Sequence, residues 1–216
     1  MKKFAIVLSG CGVYDGAEIH EATMTMLAVD QAGAEYDLFA PDIDQAHVIN
    51  HLNGGEMNEK RNVLVESARI ARGNIYPLSA FIAANYDAII FPGGFGVAKN
   101  LCSYAFDGPG FSVNAEVEKV VKDMHAAGKP IGALCISPVM IAKILPGSKL
   151  TIGTDEGTAT HIKEVGSEHI NVETHSGVVV DEKNKLVTNP CYMLDGKISD
   201  IYAGAVAAVQ AMLKLM

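Results

Sequence analysis

The order of apolar runs and helical segments predicts an α/β protein, built on a parallel sheet with helices on both faces. Three observations carry this. The runs "FAIVLS", "YDAIIF" and "PIGAL" are apolar at nearly every position, as strands buried on both faces are. Between them lie stretches with helical spacing, several closed by glycine. The 216 residues are 49% apolar and 19% charged, which can supply one large core, so residues 1–216 are expected to form a single domain.

The elements follow in order. Phe4 to Ser9 is the first strand, stopped by "GCG". Ala17 to Ala32 carries Ile19, Ala22, Thr23, Met26, Leu27 and Asp30 at helical spacing and ends at Gly33. "YDLFA" is a strand stopped by Pro41. Asp42 to Asn62 is polar and long for a plain connection, so it is a functional loop or an irregular insertion. "NVLVESARIA" is a helix ended by Arg72-Gly73, and "YDAIIFPGGFG" is the clearest strand, with a Pro-Gly-Gly turn behind it. Val113, Val117, Val120, Val121 and Met124 mark an amphipathic helix. "PIGAL" and "SPVMIAKIL" are the next strand and helix, and "KLTIG" is a further strand. "GVVVDEKNKLVTN" makes two strands around a polar turn. Asp200 to Leu215 is the last helix, carrying Ile201, Ala205, Val209, Met212 and Leu213.

Composition excludes several classes of function. The net charge is −8 with no basic run of five, so nucleic acid and anionic lipid are not expected partners. No apolar stretch approaches the roughly 18 residues of a membrane span. The apolar run after Lys2-Lys3 is too short for the core of a signal peptide. Four scattered cysteines without a C-x-x-C pair read as reduced thiols, and a cytoplasmic location is expected from them, with no metal site. "GCGVYDG" departs from a dinucleotide fingerprint, because Asp15 stands where the last glycine belongs. No cofactor is expected.

In open α/β sheets, ligands bind at the carboxyl ends of the strands. Three such ends stand out: "SGCGVYDGAEIHE", "FPGGFG" and "IGALCIS". Cys135 lies between strand and helix, with small residues (Ala133 and Ser137) two positions away on each side. That is the pattern of a nucleophile elbow, a strained turn that presents one side chain. A helix N-terminus lowers a thiol pKa from about 8.5 to roughly 4–7. The alternative is a buried cysteine packing as a small hydrophobe. Backbone N–H groups of Gly93 or Gly94, with that of Ile136, form a candidate oxyanion hole; otherwise the glycines only close a tight turn. Glu18 and Asp15 are candidate general acids or bases, against a plain role as helix N-terminal charges.

Together, "SGCGVYDGAEIHEA", "FAPD", "RNVLVESARIARG", "FPGGFGVAKNL" and "GKPIGALCISP" resemble the ElbB/ES1 branch of the PfpI-type, class I glutamine-amidotransferase-like superfamily. The likeness is strong over residues 4 to 145 and looser beyond. It implies a flavodoxin-like three-layer sandwich with a mainly parallel central sheet, Cys135 at the elbow and Glu18 touching it. It also implies a homodimer and a cofactor-independent glyoxalase converting glyoxal or related 2-oxoaldehydes to hydroxy acids. Gly94 and Ile136 would bind the oxyanion. Two features depart from the superfamily's pattern. Ile136 stands where many members have a histidine, and no H-x-E pair of the glutaminases is present. His161, His169 and His175 are candidates for a third catalytic group by position only. A glutaminase-like subunit and a redox-sensing stress protein, each using the same cysteine, are the competing readings.

Overall fold

The computed structural model describes residues 1–216. Its strands are β1 (Lys3–Val7), β2 (Glu35–Ala40), β3 (Tyr76–Pro77), β4 (Ala88–Phe91), β5 (Ile131–Leu134), β6 (Lys149–Leu150), β7 (Glu168–His169), β8 (Val179–Asp181) and β9 (Leu186–Asn189). The helices are α1 (Ile19–Gln31), α2 (Val63–Ile70), α3 (Tyr104–Asp107), α4 (Ala115–Ala126), α5 (Ser137–Ile144), α6 (Glu156–Glu164) and α7 (Ile198–Lys214). Seven strands form one sheet in the order β3-β2-β1-β4-β5-β9-β8. Every pairing in it is parallel except β8 with β9, which join in a hairpin through the "DEKNK" turn.

Side-chain alternation along the strands explains the two covered faces. Ala5, Val7, Ile89, Phe91, Ile131 and Ala133 enter one apolar cluster, which α4 and α5 complete. Their neighbours Phe4, Ile6, Leu8, Ala88, Ile90 and Leu134 enter the other, with residues of α1 and α7. Strands buried on both sides need apolar residues at every position, and these have them. The fold is a flavodoxin-like three-layer sandwich with a mainly parallel central sheet. From β1 the chain winds outward to β2, and from β4 it winds the other way to β5. That reversal opens a crevice at the carboxyl ends of β1, β4 and β5, where the three singled-out turns meet.

Three expectations need correction. In α1 the buried stripe is Glu21, Ala22, Thr25, Ala28 and Val29, while Ile19 and Leu27 are exposed. "KLTIG" is a strand only at Lys149–Leu150, and it pairs with β7 in a separate two-stranded sheet. The ladder stops because the next donors turn to side chains: Thr151 N–H donates to Thr188 Oγ1 and Gly153 N–H to Thr151 Oγ1. The short β3, β7 and α3, the nine-residue α6 and a π-helical turn at Val97–Leu101 are additions. Helix α6 buries only Ala159 and Ile162, too few apolar positions to mark a period.

Candidate active site

Cys135 follows the last residue of β5 and takes φ +57°, a left-handed conformation that costs a non-glycine residue about 1–2 kcal/mol. Neighbouring groups hold the strain. Cys135 N–H donates to Asn189 O at 2.9 Å, which ties the turn to β9. Ser137, fully buried, donates its hydroxyl to Pro92 O at 2.9 Å and ties the start of α5 to the β4 turn. Pro138 sits in the first turn of α5, where no backbone donor is lost. Cys135 is 8% exposed. The small residues at 133 and 137 are therefore packing partners of the turn, as the elbow pattern requires.

Gly93 and Gly94 allow the β4 turn to close over this elbow. A Cβ on Gly93 would overlap Cys135 Cβ and lie 2.7 Å from Glu21 Oε2. Gly94 has φ +103°, and a Cβ there would overlap Glu18 N and Gly16 O. Backbone N–H groups of Gly94 and Ile136 both bond to the Cys135 sulfur. The two groups singled out as oxyanion donors thus converge on the nucleophile position.

The carboxyl group on the sulfur belongs to Glu21, not to Glu18. Glu18 is the N-cap of α1: its Oε2 accepts from Glu21 N–H at 2.8 Å, and its own N–H donates to Gly93 O at 2.9 Å. One turn later, Glu21 is fully buried. It hydrogen-bonds Cys135, accepts from Gly93 N–H at 2.8 Å through Oε2, and accepts from Tyr192 N–H at 3.2 Å through Oε1. The signal for it was a charged residue on the buried stripe of a helix, which seldom occurs without a partner. Reading the wrong stripe hid it.

Burial raises the Glu21 carboxyl from 4.5 to about 7, and the nearby Glu18 charge adds to the rise. Burial also pushes the Cys135 thiol well above its ordinary value, and the Glu21 charge pushes it further. The N–H groups of Gly94 and Ile136 pull the other way. The low pKa expected from the helix N-terminus is overturned, because desolvation outweighs a short helix's partial charge. The pair behaves as one unit: the thiol and the carboxyl share protons, and a carboxylate at Glu21 can take the thiol proton as the sulfur attacks.

The remaining candidates lie elsewhere. Asp15 Oδ2 accepts from Ile49 N–H at 2.7 Å, and Oδ1 is 3.8 Å from His51 Nε2, so this acid fastens the 42–62 loop. His169 Nε2 accepts from Ile152 N–H at 3.2 Å. His175 offers its carbonyl to Asn189 Nδ2 at 2.6 Å. His161 Nδ1 lies 2.8 Å from the Tyr104 hydroxyl. Tyr104 and Cys135 line the same cavity of about 370 Å³, most of whose walls are apolar and which includes Phe95, Ile136 and Met193. A cavity of this size admits a small organic molecule with its reactive carbon over the sulfur.

The chain is 50% identical to a human mitochondrial glutamine amidotransferase-like class 1 domain-containing protein, over 99% of this chain and 83% of that one. It is 36% identical to the mitochondrial ES1 protein of Danio rerio, covering 88% of this chain and 76% of that one. A crystal structure of an isoprenoid biosynthesis protein with an amidotransferase-like domain from Ehrlichia chaffeensis matches with TM-score 0.93 and 34% identity, over 100% of this chain and 99% of that one. Glyoxalase III from Candida albicans shares the fold, with TM-score 0.66 and 16% identity over 100% and 97% of the two chains. The cytoplasmic expectation is corrected: the human, rat and zebrafish relatives are named mitochondrial. Scattered cysteines without a C-x-x-C pair do not by themselves select the cytosol. The model of the DJ-1/PfpI family matches residues 11–190, a span that holds Glu21, Gly93, Gly94 and the Cys135 elbow, and the chain belongs to that family.

Proposed function

We propose that the protein is a cofactor-independent glyoxalase that converts glyoxal, or a related 2-oxoaldehyde, to the hydroxy acid. The observation that carries this is Glu21: a buried carboxyl raised to about 7, hydrogen-bonded to a cysteine on a strained elbow. Cys135 adds to the aldehyde carbon C1, its proton passing to Glu21 and on to the aldehyde oxygen O1. The N–H groups of Gly94 and Ile136 hold O1 while it carries charge. Glu21, again a carboxylate, takes the hydrogen of C1, and the electron pair forms the C1–C2 double bond of an enediol. Returned to C2, that proton leaves a thioester on Cys135, and water releases the hydroxy acid and the thiol. Substrate and product differ by one water, so no oxidant is required. A carboxyl group near 7 suits both directions of transfer at neutral pH. A homodimer is the proposed assembly, and sedimentation equilibrium distinguishes it from a monomer.

The name of the human relative, glutamine amidotransferase-like, favours a second reading, a glutaminase. Against it, the cysteine is partnered by a carboxyl group and no imidazole, and its cavity is mostly apolar. One experiment separates the two: glycolate from glyoxal and ammonia from glutamine are measured on wild type and Cys135→Ser. Glycolate production that falls at least about 10³-fold in a folded Cys135→Ser supports the proposal, since a hydroxyl is far harder to ionise than a thiol. Ammonia release without glycolate formation would replace it with the glutaminase.

A further inference from the structure

The enediol step proposed above leaves one demand unmet. As C1 loses its hydrogen, negative charge collects on the C2 oxygen, O2. Gly94 and Ile136 serve O1, and Glu21 is occupied with the carbon-bound proton. A donor to O2 must come from another wall of the cavity.

We propose that Tyr104 is that donor, a catalytic acid, with His161 as the positioning residue that resupplies its proton. Besides Cys135, the polar side chains that line the cavity are Tyr104, Asp155, Thr158 and Tyr192. The Asp155 carboxyl is held below its ordinary value, chiefly by hydrogen bonds from Thr158, so it is an anion and donates nothing. Thr158 is an alcohol, a weak acid, and its single hydroxyl proton is committed to the Asp155 carboxylate. Tyr192 also lines the cavity, but its hydroxyl lies 2.9 Å from Nδ1 of His20, on the solvent-exposed side. Tyr104 lies differently. Its ring packs edge-on against Phe111 and against His161, and its hydroxyl is 2.8 Å from His161 Nδ1 in a partly buried contact. Burial raises the phenol above its ordinary value, so it stays protonated and able to donate.

The proton account closes. The phenol gives its proton to O2 as the C2–O2 π pair becomes a lone pair. The His161 ring, whose Nδ1 lies 2.8 Å from the phenol oxygen, passes its Nδ1 proton to that oxygen. When the thioester carbonyl forms, the proton leaving O1 replaces the one His161 gave, through water at its half-exposed ring. The phenol also explains how the site works with Ile136 at the position after the cysteine: the imidazole acts from across the cavity, through Tyr104.

This assignment rests on the glyoxalase reading, and the test keeps the two apart. Wild type, Tyr104→Phe, His161→Gln and Tyr192→Phe are mixed with excess phenylglyoxal or glyoxal. Loss of aldehyde absorbance is followed through the first turnover and the steady state. Tyr104→Phe is expected to keep the initial burst of about one aldehyde per protomer, because Cys135 still adds. Its steady-state kcat should fall about 10²-fold or more with KM within about threefold. His161→Gln should fall by about tenfold with the burst intact. A purely structural role for Tyr104 would lower burst and turnover together and overturn the assignment. So would wild-type kcat in Tyr104→Phe, or a large loss confined to Tyr192→Phe. Wild type inert toward every 2-oxoaldehyde would instead overturn the glyoxalase reading, and this assignment with it.

Discussion

Glu21 buries its carboxyl group completely, and its raised pKa has a consequence for stability. The folded value is about 7 against 4.5 for the free group, so the folded state holds the proton more tightly than the unfolded chain. Stability is therefore unaffected by this group below about pH 4.5 and falls as pH rises from there to about 7. A difference of that size corresponds to about 3 kcal/mol. We predict that Glu21→Gln removes most of this slope, while turnover falls at least about 10²-fold. Urea unfolding at pH 4.5, 6 and 8 checks the first part. An unchanged slope in the variant would assign the pH dependence to another group.

At the scale of elements, the start of α1 separates two acids three residues apart. Glu18 lies at the N-cap with extended backbone (φ −65°, ψ 121°), so its side chain folds back on the Glu21 N–H. Glu21 lies inside the helix, where its side chain follows the buried stripe. Removing the cap should cost about 1 kcal/mol. We predict that Glu18→Ala lowers Tm by about 2–4 °C in a chain of this size and leaves glyoxal turnover within about threefold. Calorimetry with a glycolate assay tests this. Turnover reduced 10²-fold at unchanged Tm would return Glu18 to the catalytic groups.

Over the whole molecule, the crevice is walled by segments far apart in sequence. The irregular 42–62 loop is attached to the "GCGVYDG" turn by two contacts: Ile49 N–H with Asp15 Oδ2 at 2.7 Å and Tyr14 N–H with His51 Nε2 at 3.1 Å. Asp15 is 4% exposed, so its hydrogen bond to Ile49 is shielded from water. A bond of this kind to a charged acceptor is worth about 1.5–3 kcal/mol. We predict that Asp15→Ala speeds hydrogen exchange at the Ile49 amide by about 10–100-fold, with the amides of β4 and β5 unaffected. Equal acceleration throughout the sheet would mean that Asp15 supports the entire fold and not this loop.

The sequence by itself determined the fold class, the crevice and the strand-to-helix turn that carries Cys135. Continuous apolar runs need a sheet covered on both faces, and a cysteine between such a run and a helix, flanked by Ala133 and Ser137, leaves few conformations for the turn. Those are local properties, readable from neighbours along the chain. Which carboxyl group meets the sulfur was not local. Glu18 and Glu21 differ by less than one helical turn, and only the packing of α1 against the sheet and α7 sets the phase that turns Glu21 inward. The thiol's raised pKa likewise follows from burial by several segments. Tyr104 and His161 are 57 positions apart, on α3 and on α6, whose weak periodicity left both helices unread. Their contact exists because the sheet sets both helices beside the Cys135 cavity, a distance relation that a one-dimensional pattern does not carry.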